Sequence, residues 1–324
     1  LLKLKKMIKN EDDILEYITS NIKTKSKNVL KSIGDDCAVL KTKGGNTLVI
    51  TTDTSLLGPH FTSDYTPYEI GYKCLATNLS DIAAMGCIPK YLFMAITIPD
   101  LQPKWVKSFY KGIKDLTNEY NVALIGGDTN KGPLSISIQI IGTPKHNILY
   151  RSGAMLDDHI YVTGELGSAR AALMIKNTKK YSNEFKYLKK YLHTPQPRVK
   201  LGIDLSRFAT SCIDISDGIA KDLKNIISES KCGANINVDQ IPFNNKLNNI
   251  MKGNNFYECI VGGGEDYELC FTANSNDSKK VKYLSKKYNI KITKIGCITK
   301  KNLTYYQNSK PIKLALKGYD HFLD

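Results

Sequence analysis

The sequence predicts a mixed α/β protein, and three observations favour that class. Short apolar runs with strand character alternate with segments of helical periodicity from residue 47 to residue 298. Hydrophobic residues make up 42% and charged residues 24% of the 324 residues, as in folded globular proteins. The longest apolar run, residues 91–98, is far shorter than the roughly 20 residues that a membrane-spanning helix needs. We therefore expect two domains, residues 1–148 and residues 149–324.

The elements of the first half alternate between helix and strand. Residues 11–22 place apolar side chains at helical spacing. Residues 67–86 begin with proline and end with glycine, which commonly mark the start and the end of a helix. Residues 134–141 alternate apolar and polar side chains, as a half-buried strand does. The predicted helices are 11–22, 67–86 and 103–120, and the predicted strands are 47–52, 91–98, 122–125 and 134–141.

The second half continues the same alternation. A short apolar strand, residues 159–163, precedes the helical pattern of residues 168–175. The Lys- and Tyr-rich stretch 176–194 predicts an exposed helix, and Pro195 and Pro197 mark the start of the next helix. The remaining predicted strands are 211–215, 234–238, 267–272 and 290–298, and the remaining predicted helices are 219–228 and 278–288.

The charge balance is unusual, with a formal net charge of +15. A strongly basic chain raises the hypothesis of a nucleic-acid partner. However, only four of the 46 basic residues are arginines, and the lysines are spread over the whole chain. Base-reading surfaces favour the arginine fork. We therefore expect a solvated, lysine-rich surface and no specific nucleic-acid partner.

The cysteines and the N-terminal residues indicate the compartment. None of the eight cysteines stands in a CxxC pair, so a zinc site of the usual kind is not expected. The first ten residues are rich in lysine and lack the apolar core of a signal peptide. We expect reduced thiols in a cytoplasmic protein that has no membrane partner.

Six aspartates stand at the ends of apolar elements or beside glycine, and they are Asp36, Asp53, Asp81, Asp128, Asp214 and Asp217. A carboxylate at the end of a buried strand is held rigidly, and several that converge there form a site for hard cations such as Mg²⁺. Aspartate and glycine also form ordinary turns and helix caps. Spacing alone does not show whether the six side chains meet.

Other familiar catalytic patterns are absent from the sequence. There is no Walker A motif, no G-x-S-x-G motif and no H-E-x-x-H pair. The glycine run Gly262–Gly264 fits either an anion-binding loop or a plain turn. If the protein handles phosphate, metal-bound carboxylates rather than a P-loop are expected to do so.

An ordered series of motifs closely resembles the thiamine-monophosphate kinases. The series comprises Gly34–Val39, Thr51–Asp53, Gly58–Phe61, Asn78–Gly86, Gly126–Thr129, Asp214–Gly218, Gly263–Leu269 and Gly318–Phe322. It extends from about residue 30 to the C-terminus, in order and with compatible spacing. The wider superfamily includes aminoimidazole ribonucleotide synthetase and selenophosphate synthetase. The NLSDIAAMG and GGEDYEL segments point to the thiamine branch.

The resemblance implies a fold and a reaction. It implies a ferredoxin-like N-terminal domain, residues 1–148, that binds ATP and metal and forms a β-barrel with a second subunit. The C-terminal α/β domain, residues 149–324, would complete the active site of a homodimer. The reaction would be direct, in-line phosphoryl transfer from ATP to thiamine monophosphate, assisted by several Mg²⁺ ions, with thiamine diphosphate as product.

The resemblance also assigns roles to individual residues. The metal-site positions are Asp36, Thr51, Thr52, Asp53, Asp81, Asp128, Asp214 and Asp217. The ATP-binding positions are Gly127, Asp128, Arg151 and Ser216, and the substrate-binding positions are His60, Glu265 and Tyr319. The positions expected to act in catalysis are Asp53, Asp81, Asp128 and Arg151.

The chain differs from the family pattern at two positions, and two other functions are alternatives to the one that the resemblance implies. Tyr319 stands where the family commonly has tryptophan, and Arg170 stands where it usually has a small residue. One alternative is another ATP-dependent synthetase of the superfamily, such as aminoimidazole ribonucleotide synthetase, which would share the metal core but not His60 and Tyr319. The other is a basic nucleic-acid-binding protein on an inactive scaffold, and the intact set of aspartates argues against it.

Overall fold

The computed structural model describes residues 8–22, 25–314, 316 and 318. Within these residues the chain forms two mixed β-sheets with helices packed against them. The mixed α/β class predicted from the sequence is therefore confirmed. The described residues contain no closed barrel within one chain.

The helices and strands are numbered in chain order. The N-terminal half contains α1 (Glu11–Asn21), β1 (Val29–Lys31), β2 (Ala38–Lys41), β3 (Thr47–Leu56), α2 (Pro67–Ala84), β4 (Cys87–Ile98), α3 (Pro103–Tyr120), β5 (Ala123–Lys131) and β6 (Ser135–Pro144). The C-terminal half contains β7 (His159–Thr163), α4 (Ser168–Ile175), α5 (Ser182–His193), α6 (Val199–Leu205), β8 (Ser211–Asp214), α7 (Ile219–Ser230), β9 (Gly233–Asn237), α8 (Leu247–Ile250), α9 (Asn254–Tyr257), β10 (Leu269–Ala273), α10 (Ser278–Tyr288), β11 (Ile292–Thr299), β12 (Leu303–Gln307) and β13 (Lys310–Ile312).

The first sheet has six strands in the order β1-β2-β3-β6-β4-β5. Every neighbouring pair is antiparallel except β4 and β5, which are parallel. Helix α2 packs against β3, β4 and β6, and α3 packs against α2. Strand β6 alternates buried and half-buried residues along its length, as expected of a strand with one face on the core.

Helix α2 is the central element of the molecule. Thr66 and Glu69 form a capping box at its start, and Pro67 occupies the first turn, where a missing N–H costs nothing. Thirteen of its residues are buried, because it contacts β8 and α6 of the C-terminal half as well as the first sheet. It therefore holds side chains from one half against the other half.

The second sheet has seven strands in the order β13-β12-β9-β11-β7-β10-β8. Strands β9 and β12 are parallel, and the other neighbouring pairs are antiparallel. Strand β8 lies at one edge of the sheet, and its last residue, Asp214, pairs with Leu269 at the start of β10. Buried Asp214 thus emerges where the sheet faces α2.

The other notable edge is β5 in the first sheet, because all nine of its residues are exposed. Its apolar side chains Leu124 and Ile125 keep 45% and 51% of their surface exposed.

No described helix is long and apolar enough to cross a membrane. The first sheet ends at Pro144 and the second begins at His159, on either side of the predicted domain boundary.

Candidate active site

A cavity of about 1200 Å³ lies between the two halves. Residues from β3, α2, α4 and the loop before β10 contribute to its wall. Most of the sequence-predicted site residues line it, and they are Asp36, Thr51, Thr52, Asp53, His60, Asp81, Arg151, Asp214, Ser216, Asp217 and Glu265. The structure therefore brings together residues that are up to 229 positions apart between Asp36 and Glu265.

Three carboxylates, one from a buried and two from half-buried residues, converge in this cavity. One oxygen from each of Asp36, Asp81 and Asp214 lies within 4.8 Å of the other two. Asp36 precedes β2, Asp81 lies in α2 and Asp214 ends β8, so both halves contribute. Thr51 donates a 2.5 Å hydrogen bond to Asp81, and Ser80 donates a 2.6 Å hydrogen bond to Asp214. These hydroxyls fix the orientation of the two carboxylates.

The crowding of these carboxylates raises their pKa values. Burial and the charge of Asp36 raise the pKa of Asp214 to about 8 and that of Asp53 to about 6. Burial, Asp53 and Asp214 raise the pKa of Asp81 well above its usual range. The buried Asp36 Oδ2 atom has no hydrogen-bond partner among the described residues. A divalent cation would satisfy this oxygen and relieve the repulsion, so the three carboxylates fit a magnesium site.

Arg151 lies against the same cluster. Its Nη2 donates to Asp36 Oδ1 at 2.6 Å, and its backbone N–H donates to Asp35 at 3.2 Å. Its carbonyl accepts a hydrogen bond from Ser230 at 3.2 Å, so the backbone is fixed on both sides. The guanidinium is thus a positioned positive charge at the edge of an acidic site, as the binding of an anionic phosphate requires.

The loop before β10 carries Glu265 and Tyr267 to the cavity. Both residues have positive φ angles, +73° and +49°, which are uncommon for residues other than glycine. Their backbone N–H groups donate to the carbonyls of Ser216 and Ile215 at 2.8 and 2.9 Å. A Cβ atom at Gly264 would lie 2.2 Å from the Ser216 carbonyl oxygen, so this close approach needs glycine.

The same loop is anchored on its other side by two acidic residues. Asp266 accepts the backbone N–H of Gly167 at 2.8 Å, just before α4. Glu268 accepts two hydrogen bonds from Arg198, one of them at 2.7 Å, and one from Thr163 at 2.5 Å. These bonds hold the unusual backbone in place, so the two side chains that face the cavity are positioned before a ligand binds.

The outer part of the cavity is formed by other elements. The Nδ1 atom of His60 accepts the backbone N–H of Leu56 at 3.1 Å, which fixes the imidazole on the β3 side. Arg170 and Glu258 form an ion pair of 2.5 Å on the opposite wall. Nothing in the structure explains why arginine stands at position 170.

The sequence patterns did not assign a role to several polar residues in or near the cavity, among them Asp35, Lys73, Asp222 and Tyr267. Asp35 stands beside Asp36 in the same motif, and Tyr267 lies inside the GGEDYEL segment. Lys73 lies eight residues before Asp81, which places both on one face of a helix. Asp222 is buried and accepts the backbone N–H of Asp217 at 3.1 Å. Helical spacing from Asp81 was the signal that could have identified Lys73.

Three of the predicted site residues depart from this arrangement. Thr52 lines the cavity, but its hydroxyl accepts a hydrogen bond from Gln139 on the sheet face opposite to Thr51 and Asp53. Gly127 and Asp128 lie on β5, three strand spacings or roughly 14 Å from β3. Asp128 accepts hydrogen bonds from its own strand, and it is not among the described residues that line the cavity.

The predicted substrate residue Tyr319 lies outside the described residues. Gly318, directly before it, is described and lines the cavity. A Cβ at position 318 would lie 2.6 Å from the Cβ of Lys221. The C-terminal motif therefore begins at the cavity wall, and the role of Tyr319 stays a prediction.

The chain is similar to known proteins along nearly its whole length. Residues 34–143 match "AIR synthase related protein, N-terminal domain", and residues 157–306 match the corresponding C-terminal domain. A thiamine-monophosphate kinase of Buchnera aphidicola subsp. Schizaphis graminum is 42% identical over 320 residues, which are 97% of this chain and 99% of the relative. The chain belongs to the thiamine-monophosphate kinase family. The resemblance identified from the sequence motifs is thereby confirmed.

Solved structures of thiamine-monophosphate kinases agree with this assignment. The enzyme of Stenotrophomonas maltophilia is 34% identical and superposes with a TM-score of 0.78 over 93% of this chain and 96% of that chain. The structure described as AaThiL complexed with AMPPCP and TMP is 27% identical, with a TM-score of 0.83 over 99% of both chains. The thiamine-monophosphate kinase fold thus extends over essentially the whole chain, and the synthetase alternative is not favoured.

Proposed function

We propose that this protein transfers the γ-phosphoryl group of ATP to the phosphate of thiamine monophosphate, forming ADP and thiamine diphosphate. The observation that carries the proposal is the convergence of Asp36, Asp81 and Asp214 beside Arg151 in one cavity. Family membership at 42% identity over nearly the full chain selects this reaction among those that such a site could support. The complex of AaThiL with AMPPCP and TMP supports ATP as the co-substrate.

The residue types suit this chemistry. The attacking group is a phosphate oxygen that is already anionic near neutral pH, so the reaction needs no strong general base. The barrier arises mainly from aligning two anionic phosphates against their repulsion. Magnesium bound at the carboxylate cluster would neutralise that charge. Asp36, Asp81 and Asp214 would hold it, with Asp53 close by and Arg151 facing the phosphates.

The two substrates would occupy different parts of the cavity. Arg151 and Ser216, on the side of the carboxylate cluster, are proposed to contact the nucleotide. His60 and Glu265, at the other end of α2, are proposed to contact the thiamine part, together with Tyr319. A cationic thiazolium ring next to the carboxylate of Glu265 would be favourable electrostatically.

The proposal includes a second subunit and a cytoplasmic location. Strand β5 is exposed along its full length and presents Leu124 and Ile125, as an edge that pairs with another chain would. A dimer built on this sheet would form the intersubunit barrel that the resemblance implies. It would also account for Gly127 and Asp128, which lie on β5 and far from β3 in their own chain. The ferredoxin-like description of the N-terminal domain belongs to the same proposal.

The decisive experiment is a product assay. Purified protein is incubated with ATP, Mg²⁺ and thiamine monophosphate, and both ADP and thiamine diphosphate are quantified by chromatography. We expect equal amounts of the two products and no ADP without the acceptor. Removal of Mg²⁺ by a chelator should abolish both products. ADP release without thiamine diphosphate would contradict the proposal and favour another ATP-dependent synthetase.

Initial-rate kinetics test whether the transfer is direct. Because the aspartates are proposed to hold metal and His60 to contact the substrate, these residues are not expected to serve as phosphoryl acceptors. Rates measured against ATP at several acceptor concentrations should give intersecting lines in a double-reciprocal plot. Parallel lines, or protein labelled by γ-phosphate-labelled ATP without acceptor, would show a phosphoenzyme instead.

A further inference from the structure

A buried lysine on α2 lies in the cavity wall and has no role in the chemistry described so far. The Lys73 side chain keeps only 5% of its surface exposed. Lys73, Thr77 and Asp81 are four residues apart and all line the cavity, so one face of α2 borders it. At 1.5 Å per residue, about 12 Å of helix separates Lys73 from Asp81 in the metal cluster.

The ammonium group of Lys73 connects the two proposed substrate residues. Its Nζ donates to the backbone carbonyl of His60 at 2.8 Å and forms an ion pair with Oε2 of Glu265. The hydroxyl of Tyr65 lies 3.4 Å from the same nitrogen. His60 belongs to the N-terminal half and Glu265 to the loop before β10, so this one group ties the two walls together.

The contacts of Lys73 engage its ammonium group with protein atoms. It donates hydrogen bonds to the His60 carbonyl and the Tyr65 hydroxyl, and its charge is paired with Oε2 of Glu265. An unpaired charge at this depth would be costly, since desolvation disfavours an isolated buried ion. Lys73 is therefore suited to holding other groups in place rather than to contacting the transferred phosphoryl group.

The loop that Lys73 holds has a backbone that needs such support. Glu265 has a φ angle of +73°, and its neighbour Tyr267 has a φ angle of +49°. Its backbone N–H donates to Ser216, whereas its side chain is fixed by Lys73. Without the ammonium, the buried carboxylate oxygen of Glu265 would lose its ionic partner, and the side chain would no longer be held in place.

We propose that Lys73 is a positioning residue for the acceptor substrate: it fixes Glu265 and the His60 loop at the distance from the metal cluster that thiamine monophosphate requires. This inference rests on the proposed function. It predicts that loss of Lys73 weakens binding of the acceptor while ATP binding and the chemical step are largely retained.

The test is a double-mutant cycle of Lys73→Met and Glu265→Gln, with both Michaelis constants and kcat measured for each variant. Lys73→Met should raise the KM for thiamine monophosphate about tenfold, and the KM for ATP and kcat should stay within about threefold. Because Lys73 acts through Glu265, the double variant should be no worse than the more impaired single variant. Lys73→Arg keeps the charge and should restore part of the loss.

Lys287→Met is the matched control, because Lys287 forms a 2.5 Å ion pair with Asp204 on the surface outside the cavity. It should leave all three kinetic constants unchanged. If Lys73→Met does not fold, Lys73→Arg replaces it in the test. The quantity measured is again the KM for thiamine monophosphate relative to the KM for ATP.

The outcomes separate the inference from the proposed function. A wild-type protein that forms no thiamine diphosphate would overturn both. An active wild type whose Lys73→Met variant keeps its acceptor KM, or shifts both KM values together, would overturn the inference alone. Effects of Lys73→Met and Glu265→Gln that multiply in the double variant would also overturn it, because the two residues would then act independently.

Discussion

At the carboxylate cluster, burial and mutual repulsion act on the same three side chains. Asp36, Asp81 and Asp214 lie within 4.8 Å of one another, with one guanidinium, that of Arg151, against Asp36. A cluster of this kind destabilises the fold when all its members are ionised. The energetic cost is consistent with a role in binding cations, since a divalent ion converts the repulsion into attraction. The cluster therefore links stability to both pH and magnesium.

The pKa of Asp214 predicts the direction in which the stability of the metal-free protein changes with pH. Burial raises the pKa of Asp214 to about 8, whereas an unfolded chain has a value of about 3.9. A raised pKa in the folded state means that the protonated form stabilises the fold below about pH 4, and this contribution is lost as the pH rises through about 8. We expect the Tm of metal-free protein, measured by calorimetry, to fall between about pH 6 and pH 8.

Substitution and magnesium should remove this dependence. Asp214→Asn cannot ionise, so its metal-free Tm should exceed that of the wild type at pH values near 8 and should vary less with pH. Magnesium should raise the wild-type Tm more at high pH than at low pH, and should have little effect on the variant. Asp277→Asn, outside the cavity, serves as the control and should behave like the wild type. A wild-type Tm that rises with pH in the absence of metal would contradict the assignment.

Helices and strands were predicted best from the sequence where local signals and tertiary contacts agree. The helix predicted at 67–86 is observed as α2 (Pro67–Ala84), because proline and the capping box mark its start. The strand predicted at 122–125 is observed as β5 (Ala123–Lys131), which continues through Gly126-Gly127-Asp128. Those residues have low strand propensity, and pairing with β4 overrides it. A Cβ at Gly127 would lie 1.8 Å from the Met94 carbonyl oxygen, a contact between strands that no local pattern reveals.

The candidate site was predictable as a set of residue types but not as a geometry. Spacing identified Asp36, Asp81 and Asp214 as ends of elements, but their convergence depends on how α2 packs against β8. The contact of Lys73 with Glu265 was unpredictable for the same reason, since the two residues are 192 positions apart in the sequence. The β12–β13 pair was missed as well, since its strands are short and only partly buried. Long-range contacts between the two halves decided each of these features.

The loop before β10 gives a prediction at the scale of an element. Gly264→Ala would place a Cβ 2.2 Å from the Ser216 carbonyl oxygen, so the loop must shift. Because this loop carries Glu265, we expect the KM for thiamine monophosphate to rise at least tenfold and the Tm to fall by several degrees. Steady-state kinetics and calorimetry measure the two effects. Gly44→Ala is the control, because a Cβ at that position would come no closer than 4.0 Å to another atom, the Thr42 hydroxyl oxygen, and its backbone is not in the positive-φ region. A Gly264→Ala variant with wild-type kinetics would show that the close approach is not required.

For the whole molecule, the two halves of one chain supply most of the predicted site but not Asp128. Strand β5 is fully exposed and lies roughly 14 Å from β3, with β6 and β4 between them. A single chain therefore leaves an apolar edge uncovered and one predicted metal ligand outside the cavity. The proposed symmetric dimer that covers β5 would resolve both features if it brought Asp128 of each subunit towards the cavity of the other.

Hybrid dimers test this arrangement. Asp81→Asn should inactivate a subunit's own cavity, whereas Asp128→Asn should inactivate the cavity of its partner, so each variant alone should have little activity. When the two variants are unfolded together and refolded at equal amounts, half of the dimers are hybrids. Each hybrid then contains one cavity with both substitutions and one with neither, which should restore about a quarter of wild-type activity. The refolded wild type is the reference, and its size measured by light scattering must correspond to a dimer. If Asp128 served its own chain, every cavity in the mixture would carry one substitution and no activity would return; a monomeric wild type would reject the dimer itself.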